Sequence, residues 1–207
     1  MSIIHQTHVK PTKLELLTTW LPTRPWYHGP AEPELVKAGG FRLDDPEGEV
    51  GIEFMVVTDG SGAYLVPLTY RGAPLPGAEH ALVGTMEHGV LGPRWAYDGC
   101  HDPVLTAGLT ALVEGRTQAQ AQSVSDTLDR EVARSWTGTA PLPALGAPND
   151  TDRTTEFAVP DGPTLRLHRV LTPGSTPPEG ALGQVTGAWA RADGTRVRAL
   201  FAAVQDS

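Results

Sequence analysis

The chain of 207 residues has a single cysteine, Cys100, and only 6 % aromatic residues. One cysteine cannot form a disulfide within the chain, which is typical of proteins from a reducing compartment. A run of about 18 apolar residues, the signature of a membrane-spanning helix, is lacking. The first six residues show neither the basic region nor the apolar stretch of a secretory signal. We therefore expect a cytoplasmic protein.

Positive charge is scarce as well. Lys and Arg together number 16 against 24 Asp and Glu, which gives a formal net charge of -8. Binding to nucleic acid requires clustered cations that neutralise phosphates, and binding to anionic membranes requires a basic surface. We therefore expect no nucleic-acid partner and no membrane partner.

Sequence motifs for phosphate and metal binding are missing too. Neither the Gly-x-x-x-x-Gly-Lys-Ser/Thr loop nor Gly-x-Gly-x-x-Gly between a strand and a helix occurs, and no His-x-x-x-His pair falls on a predicted helix. The seven histidines include His5 and His8, three residues apart, but no supporting cysteine ligands. Surface or capping roles are the favoured interpretation, and we expect no metal and no cofactor.

Two short clusters each allow a catalytic and a structural interpretation. Cys100, His101 and Asp102 are the residue types that act as nucleophile, base and orienting acid in a catalytic triad. Because neighbours in sequence rarely point at one another, a segment that caps the next helix is favoured over a triad. Asp44 and Asp45 precede Pro-Glu-Gly, so a solvated acidic turn is favoured over an acid/base pair.

The first half of the chain predicts two helices around an antiparallel sheet. Thr12 and Glu15 form a capping box for a helix over 13–21, and Asp102 with Pro103 begins a second helix that Gly115 ends. Pro67, which cannot donate a ladder hydrogen bond, predicts a sheet edge or a bulge. The predicted strands are 3–10, 35–43, 49–58 and 63–70, followed by a hairpin over 81–97. Residues 1–115 therefore predict a compact α+β domain.

The second half predicts a linker and a small sheet. Residues 116–152 are polar and rich in Gly, Ala and Pro, and they read as a linker and long loop around one short strand, 131–136. Residues 153–207 predict a small antiparallel β subdomain with strands 154–159, 164–171, 187–192 and 195–204. Its hairpin turns carry Asp-Gly at 161–162 and 193–194.

The segment from Leu14 to Gly29 carries a family resemblance. It reads Leu-Glu-Leu-Leu-Thr-Thr-Trp-Leu-Pro-Thr-Arg-Pro-Trp-Tyr-His-Gly and resembles the opening of actinobacterial maltokinases and related aminosugar kinases. In that family a helix ends in Trp-Leu-Pro and continues into an Arg-Trp-Phe-like turn. Here Pro25 stands between Arg24 and Trp26, and Tyr27 replaces the Phe. Trp95 to Pro103 resembles the end of the same cap domain.

The resemblance implies a fold and candidate site residues. The family's cap is a cystatin-like antiparallel sheet with a packed helix, and a subdomain resembling a kinase small lobe follows it. Leu165 to Gly174 resembles the strand of that lobe that carries a phosphate-binding Lys, and Arg166 falls at the position of that Lys. Trp26 and Tyr27 are candidate ligands for a sugar, although packing in the core is the favoured interpretation of the aromatic cluster.

What is missing decides the expected function. Phosphoryl transfer needs a catalytic-loop Asp and a metal-binding Asp, and neither motif is found. We therefore expect a non-catalytic cap-domain protein, a regulatory or binding module of maltose, trehalose or α-glucan metabolism. Its expected partner is a maltokinase or a trehalose synthase-like enzyme. A binder of small sugars or nucleotides and one half of a split sugar kinase stay open as alternatives.

Overall fold

The computed structural model describes residues 9–122, 124, 127–159 and 162–206. These residues form a mostly antiparallel sheet of 13 strands with two α-helices, which is consistent with the predicted α+β class. The helices are α1 (Lys13–Trp20) and α2 (Pro103–Glu114). The strands are β1 (Val9–Lys10), β2 (Val36–Leu43), β3 (Gly51–Thr58), β4 (Ala63–Arg71), β5 (Leu82–His88), β6 (Gly92–Asp98), β7 (Gln120–Ala121), β8 (Ala133–Trp136), β9 (Pro148–Asp150), β10 (Thr154–Ala158), β11 (Thr164–His168), β12 (Gly183–Ala190) and β13 (Arg196–Gln205).

Both helices begin at their predicted caps, and α2 ends before Gly115 as predicted, whereas α1 ends at Trp20, one residue before the predicted end, and continues into the 3₁₀ turn Leu21–Thr23. The Thr12 side chain accepts the backbone N–H of Glu15, and the Glu15 carboxylate accepts the backbone N–H of Thr12. Asp102 accepts the N–H of Val104 ahead of Pro103, and Gly115 ends α2 in the left-handed conformation at φ 78°. These caps satisfy backbone groups that a helix terminus would otherwise leave unpaired.

Six of the strands close into a barrel. Hydrogen-bonded pairs run in the order β4-β3-β2-β12-β13-β11. Just after β11 the chain pairs with β4, because Leu65 N–H donates to the Arg169 carbonyl and Leu171 N–H donates to the Ala63 carbonyl, each at 2.8 Å. Three barrel strands therefore come from residues 36–71 and three from residues 164–205. Closure removes the open edges that a flat sheet would leave.

Two glycines let β2 lie close to both of its neighbouring strands. Gly39 pairs with Trp189 of β12 at a point where the register of β2 shifts. A Cβ on Gly39 would lie 3.0 Å from the Trp189 Cβ, and one on Gly40, at φ 123°, would lie 2.1 Å from the Phe54 carbonyl oxygen in β3. The approach of β12 at Gly39 and of β3 at Gly40 therefore requires residues without side chains.

Side chains on the two faces of β3 pack into two separate hydrophobic cores. Ile52, Phe54 and Val56 face the larger core, which fills the barrel and also receives α2 through Leu105, Leu109 and Val113. The Phe41 ring stacks on Phe54 at 4.6 Å between ring centroids and on Phe201 at 6.3 Å. Met55 and Val57 face the smaller core beneath α1. The two helices therefore lie against opposite faces of the same strands.

Some details differ from the sequence prediction. Pro67 lies inside an interior strand rather than at an edge, opposite Phe54. It is tolerated because the second neighbour of β4 changes there, from the 169–171 segment to β6, which pairs only from Leu68 onward. β12 begins at Gly183, four residues before the predicted 187, and β7 and β9 lie within the predicted linker. The proposed strand over 3–10 lies mostly outside the described residues, which start at β1.

Length and polarity of the helices bear on membrane insertion. Within the described ranges, neither α1 nor α2 combines the length and the apolar character that crossing a bilayer requires.

The division into domains at 1–115, 116–152 and 153–207 stays a prediction.

Candidate functional site

An aromatic turn follows α1. Trp26 is fully buried and Tyr27 is 9 % exposed. The Trp26 ring meets Trp20 edge-on at 5.9 Å between centroids, and Tyr27 lies 4.9 Å from Tyr64. The Tyr27 hydroxyl donates to Asp59 Oδ2 at 2.6 Å. Both candidate sugar ligands are thus packed within the smaller core, and the indole of Trp26 has no exposed face for a sugar to stack on. Their role in ligand binding stays a prediction.

Arg169 lies on top of this turn and is completely buried. Its Nη2 donates to both carboxylate oxygens of Asp98, at 2.8 and 2.7 Å, and its Nε donates to Thr155 Oγ1 at 2.6 Å. The guanidinium carbon lies 4.8 Å from the centre of the Trp26 ring. Burial would lower the pKa of Arg169, but the adjacent Asp98 outweighs burial and raises it. The residue is a permanent buried cation.

Asp150, in β9, extends this network. Its Oδ2 accepts the Trp26 indole N–H at 3.3 Å, and its Oδ1 accepts the Thr155 hydroxyl. Beside it, the ring of His28 contacts the Asp152 carbonyl oxygen at 2.8 Å through Nε2. The turn after α1 is therefore connected to β9 and β10 through polar groups from distant parts of the chain. We call Trp26, Asp98, Asp150, Thr155 and Arg169 the arginine cluster.

A second charged group lies under the start of α1. Glu53 is 3 % exposed and accepts hydrogen bonds from Lys13 Nζ at 2.5 Å, from the Tyr70 hydroxyl at 2.7 Å and from Gln122 Nε2 at 3.1 Å. Lys37 Nζ lies 3.8 Å from Oε1 of Glu53. Burial opposes ionisation, yet Lys13, Lys37 and Tyr70 together hold the pKa of Glu53 below its ordinary value. The carboxylate is charged and fully partnered.

The comparison with protein families now bears on this arrangement. The maltokinase N-terminal cap domain matches residues 20–102. The chain contains a maltokinase N-terminal cap domain. The match confirms the resemblance drawn from Leu14–Gly29 and Trp95–Pro103, and no kinase domain was detected in the chain. No curated protein matches the chain.

The cap domain includes only part of the barrel and of the arginine cluster. Residues 20–102 contain β2 to β6, Trp26 and Asp98, and they stop at the residue that caps α2. Asp150, Thr155 and Arg169 lie beyond the match, as do β11, β12 and β13. The arginine cluster therefore connects the cap domain to the rest of the chain.

Arg166, the third candidate ligand-binding residue, lies outside the cap domain on β11. Its side chain is 41 % exposed. Nε donates to Glu156 Oε1 at 2.7 Å, and Nη1 donates to the Gln205 side chain. Leu165 and Leu167 on either side point into the larger core. Arg166 therefore faces outward and contacts side chains of the two neighbouring strands, β10 and β13, and it shares no contact with Trp26. Its role as a phosphate ligand stays a prediction.

The Cys100-His101-Asp102 segment ends the cap domain and does not assemble as a triad. Cys100 is 1 % exposed, and burial raises the pKa of its thiol well above the ordinary value. Asp102 caps α2 and accepts Arg71 through both carboxylate oxygens at 2.7 Å. His101 contacts His80 instead. The favoured interpretation as a capping segment agrees with these contacts.

Sequence reasoning missed the arginine cluster. Arg169 stands three residues after Arg166, and in the predicted strand 164–171 alternation places it on the face of Leu165 and Leu167, opposite to Arg166. The acidic partner, Asp98, is 71 positions away in sequence. Pairing of this kind depends on barrel closure, for which a single sequence holds no local signal.

A shallow pocket of about 230 Å³ lies at the end of α2, outside the cap domain. Leu112, Leu128, Asp129, Arg130 and Arg134 line it together with neighbouring backbone. Burial raises the pKa of Asp129. None of the three candidate ligand-binding residues borders this pocket, so the sequence prediction and the pocket point to different parts of the chain.

Proposed function

We propose that this chain is a non-catalytic, cytoplasmic cap-domain protein that binds and regulates an enzyme of maltose, trehalose or α-glucan metabolism. The partner we propose is a maltokinase or a trehalose synthase-like enzyme. The observation that carries the proposal is the match of residues 20–102 to the maltokinase N-terminal cap domain. A cap domain is an accessory part of a kinase, so its presence supports binding rather than chemistry.

The charged residues of the cap domain support this proposal. Asp98 is paired with Arg169, Asp102 with Arg71, and Glu53 with Lys13. A general acid or base needs a pKa near the working pH and access to a substrate. Among the described residues these three carboxylates are buried and each is paired with a cation, which is the pattern of a rigid scaffold.

A cystatin-like arrangement is part of the same proposal. Helix α1 packs on the face of β3 and β4 that carries Met55, Val57 and Val66, and β2 to β6 pair in the order β5-β6-β4-β3-β2. A helix held against an antiparallel sheet in this way supports the fold that the family resemblance implies.

The tip of the β5–β6 hairpin is the surface that we propose for partner binding. Val90 is 63 % exposed and Leu91 is 43 % exposed, and both lie within the cap domain. Adjacent exposed apolar side chains on a projecting hairpin supply the small apolar centre that protein interfaces need. The net charge of -8 favours a partner whose matching surface is basic.

Binding of purified proteins tests the proposal. Biolayer interferometry would measure the affinity of the intact chain for a purified maltokinase and a purified trehalose synthase from the same source. Val90→Lys with Leu91→Lys should weaken binding at least about tenfold, since charge at an apolar centre costs more than about 1.4 kcal/mol and the added cations repel a basic partner surface. Val124→Lys, a change at an exposed apolar residue outside the cap domain, should leave the affinity unchanged.

Two results would count against the proposal. Absence of binding to both enzymes at micromolar concentration would remove the regulatory role. Transfer of phosphate from ATP to maltose by the purified chain alone would show that it is an enzyme after all.

A further inference from the structure

Two histidines from separate turns meet at the surface of the cap domain. His80 lies in the 3₁₀ turn Glu79–Ala81 and His101 in the 3₁₀ turn Gly99–His101. The distance from His80 Nε2 to His101 Nδ1 is 3.1 Å. The two rings are nearly perpendicular, at 88°, with centroids 4.6 Å apart.

This geometry fits a shared metal ion as well as a hydrogen bond. Imidazole nitrogens bind Zn²⁺ at about 2.0 to 2.1 Å, so two of them on one ion lie about 2.8 to 3.4 Å apart for angles between octahedral and tetrahedral. The observed 3.1 Å lies within that interval. A linear hydrogen bond between coplanar rings would place the ring centres above about 5 Å at this nitrogen separation. The observed 4.6 Å is shorter, so the two rings do not lie along one straight N–H···N line.

Buried neighbours hold both turns in place. Ala78 and Ala81 flank His80 and are 4 % and 1 % exposed, and Cys100, next to His101, is also buried. The Cys100 N–H donates to Asp98 Oδ1 at 3.1 Å. Because the backbone is fixed on both sides, the two imidazoles would lose little conformational freedom on binding an ion.

Local charge also favours a cation. The negative charges of Asp98 and Asp150 favour a positive charge at His101, whereas Arg169 and His80 disfavour one. Two carboxylates, Asp98 and Asp150, stand against one guanidinium, Arg169, which leaves one net negative charge beside the pair.

We propose that His80 and His101 form a two-histidine site for a divalent transition-metal ion of the copper, nickel and zinc group. A shift of one ring proton to the other nitrogen of that ring frees both lone pairs, with no net change in protonation. Within the described residues, no group of three or more His, Cys, Asp or Glu side chains surrounds a common point, so water completes the coordination sphere. Imidazole ligands and the general order of affinities place Cu²⁺ above Ni²⁺ and Zn²⁺.

Isothermal titration calorimetry with Cu²⁺, Ni²⁺ and Zn²⁺ tests the site. The chain should carry His5→Ala and His8→Ala throughout, because two histidines three apart in the sequence supply a competing pair of imidazole ligands. In this background His80→Ala and His101→Asn should each weaken binding of one equivalent of metal at least about tenfold. His28→Ala removes a histidine whose contact is with the Asp152 carbonyl and should leave the affinity unchanged.

A second measurement reports the ligands directly. Electron paramagnetic resonance of the Cu²⁺-loaded protein should show coupling to two imidazole nitrogens, and His80→Ala should reduce this to one. Since His80 is exposed, that variant should retain the far-ultraviolet circular dichroism of the parent. Equal affinity in the parent and in both site variants, or a loss of the same size in His28→Ala, would overturn the proposal.

Discussion

The buried pair of Asp98 and Arg169 gives the sharpest prediction. The two side chains are 1 % and 0 % exposed, and the carboxylate accepts the guanidinium through both oxygens. Asp98→Asn preserves the shape of the side chain and an acceptor for the Cys100 N–H, but it removes the negative charge. Arg169 is then a buried cation without its closest counter-ion.

The expected loss of stability is large. Removing one partner of a buried ion pair costs about 3 to 5 kcal/mol, because the remaining charge stays desolvated. Asp150 lies close enough to attract Arg169 as well, which favours the lower end of this range. A loss of about 3 kcal/mol is a substantial share of the 5 to 15 kcal/mol by which domains are usually stable. Arg169→Met should cost a similar amount by leaving Asp98 unpaired.

Urea unfolding, followed by circular dichroism and tryptophan fluorescence, measures this cost. At a slope of about 2 to 3 kcal/mol per molar urea, the midpoint of Asp98→Asn should fall by about 1 M or more. In the double variant with Arg169→Met, the loss should be smaller than the sum of the single losses by at least about 2 kcal/mol.

An exposed ion pair provides the matched control. The side chains of Arg196 and Glu131 are 46 % and 51 % exposed, so Glu131→Gln should change the stability by about 1 kcal/mol or less. The reasoning is refuted if Asp98→Asn costs no more than Glu131→Gln, or if the two single losses at Asp98 and Arg169 simply add.

Three further predictions concern the barrel and acid stability. A fragment of residues 1–115 lacks three barrel strands and should show no cooperative unfolding transition, whereas a folded fragment would support the predicted domain boundary. Phe201→Ala removes a ring that stacks on Phe41 and should cost about 3 to 5 kcal/mol in urea unfolding, well above the cost of an exposed truncation. Glu53 and Asp102 have pKa values held below their ordinary 4.5 and 3.8, so they stabilise the fold above about pH 4.5, and this contribution should disappear as the pH falls through their folded pKa values. Urea midpoints measured between pH 7 and pH 3 check this, and a midpoint that stayed constant below pH 4.5 would contradict it.

Local signals predicted the helices and hairpins well. The capping box of Thr12 and Glu15, and Asp102 followed by Pro103, are each defined by residues only a few positions apart, and both are confirmed. The hairpins β3–β4 and β5–β6 connect strands that are adjacent in sequence, so alternation and turn residues suffice to identify them. The family match over 20–102 likewise confirms a resemblance that rested on two short segments.

Long-range pairing escaped prediction for a physical reason. The seam of Gly39 with Trp189 and the bonds of Leu65 to Arg169 join residues more than 100 positions apart. The hydrophobic alternation of each strand shows which face is buried but not which strand lies beside it. Pro67 illustrates the difficulty, because its place at a change of neighbours is visible only once both neighbours are known.

Barrel closure also restricts how this cap domain can work. The large core receives Phe41 and Phe54 from the cap domain and Phe201 and Trp189 from the later strands, so moving the two parts against each other would expose apolar surface on both. The arginine cluster adds a buried charge that any such movement would leave unpaired. A hinge between residues 20–102 and the remainder of the chain would therefore carry a large free-energy cost. The regulation that we propose is therefore expected to use surfaces outside the barrel, and the tip of the β5–β6 hairpin is such a surface.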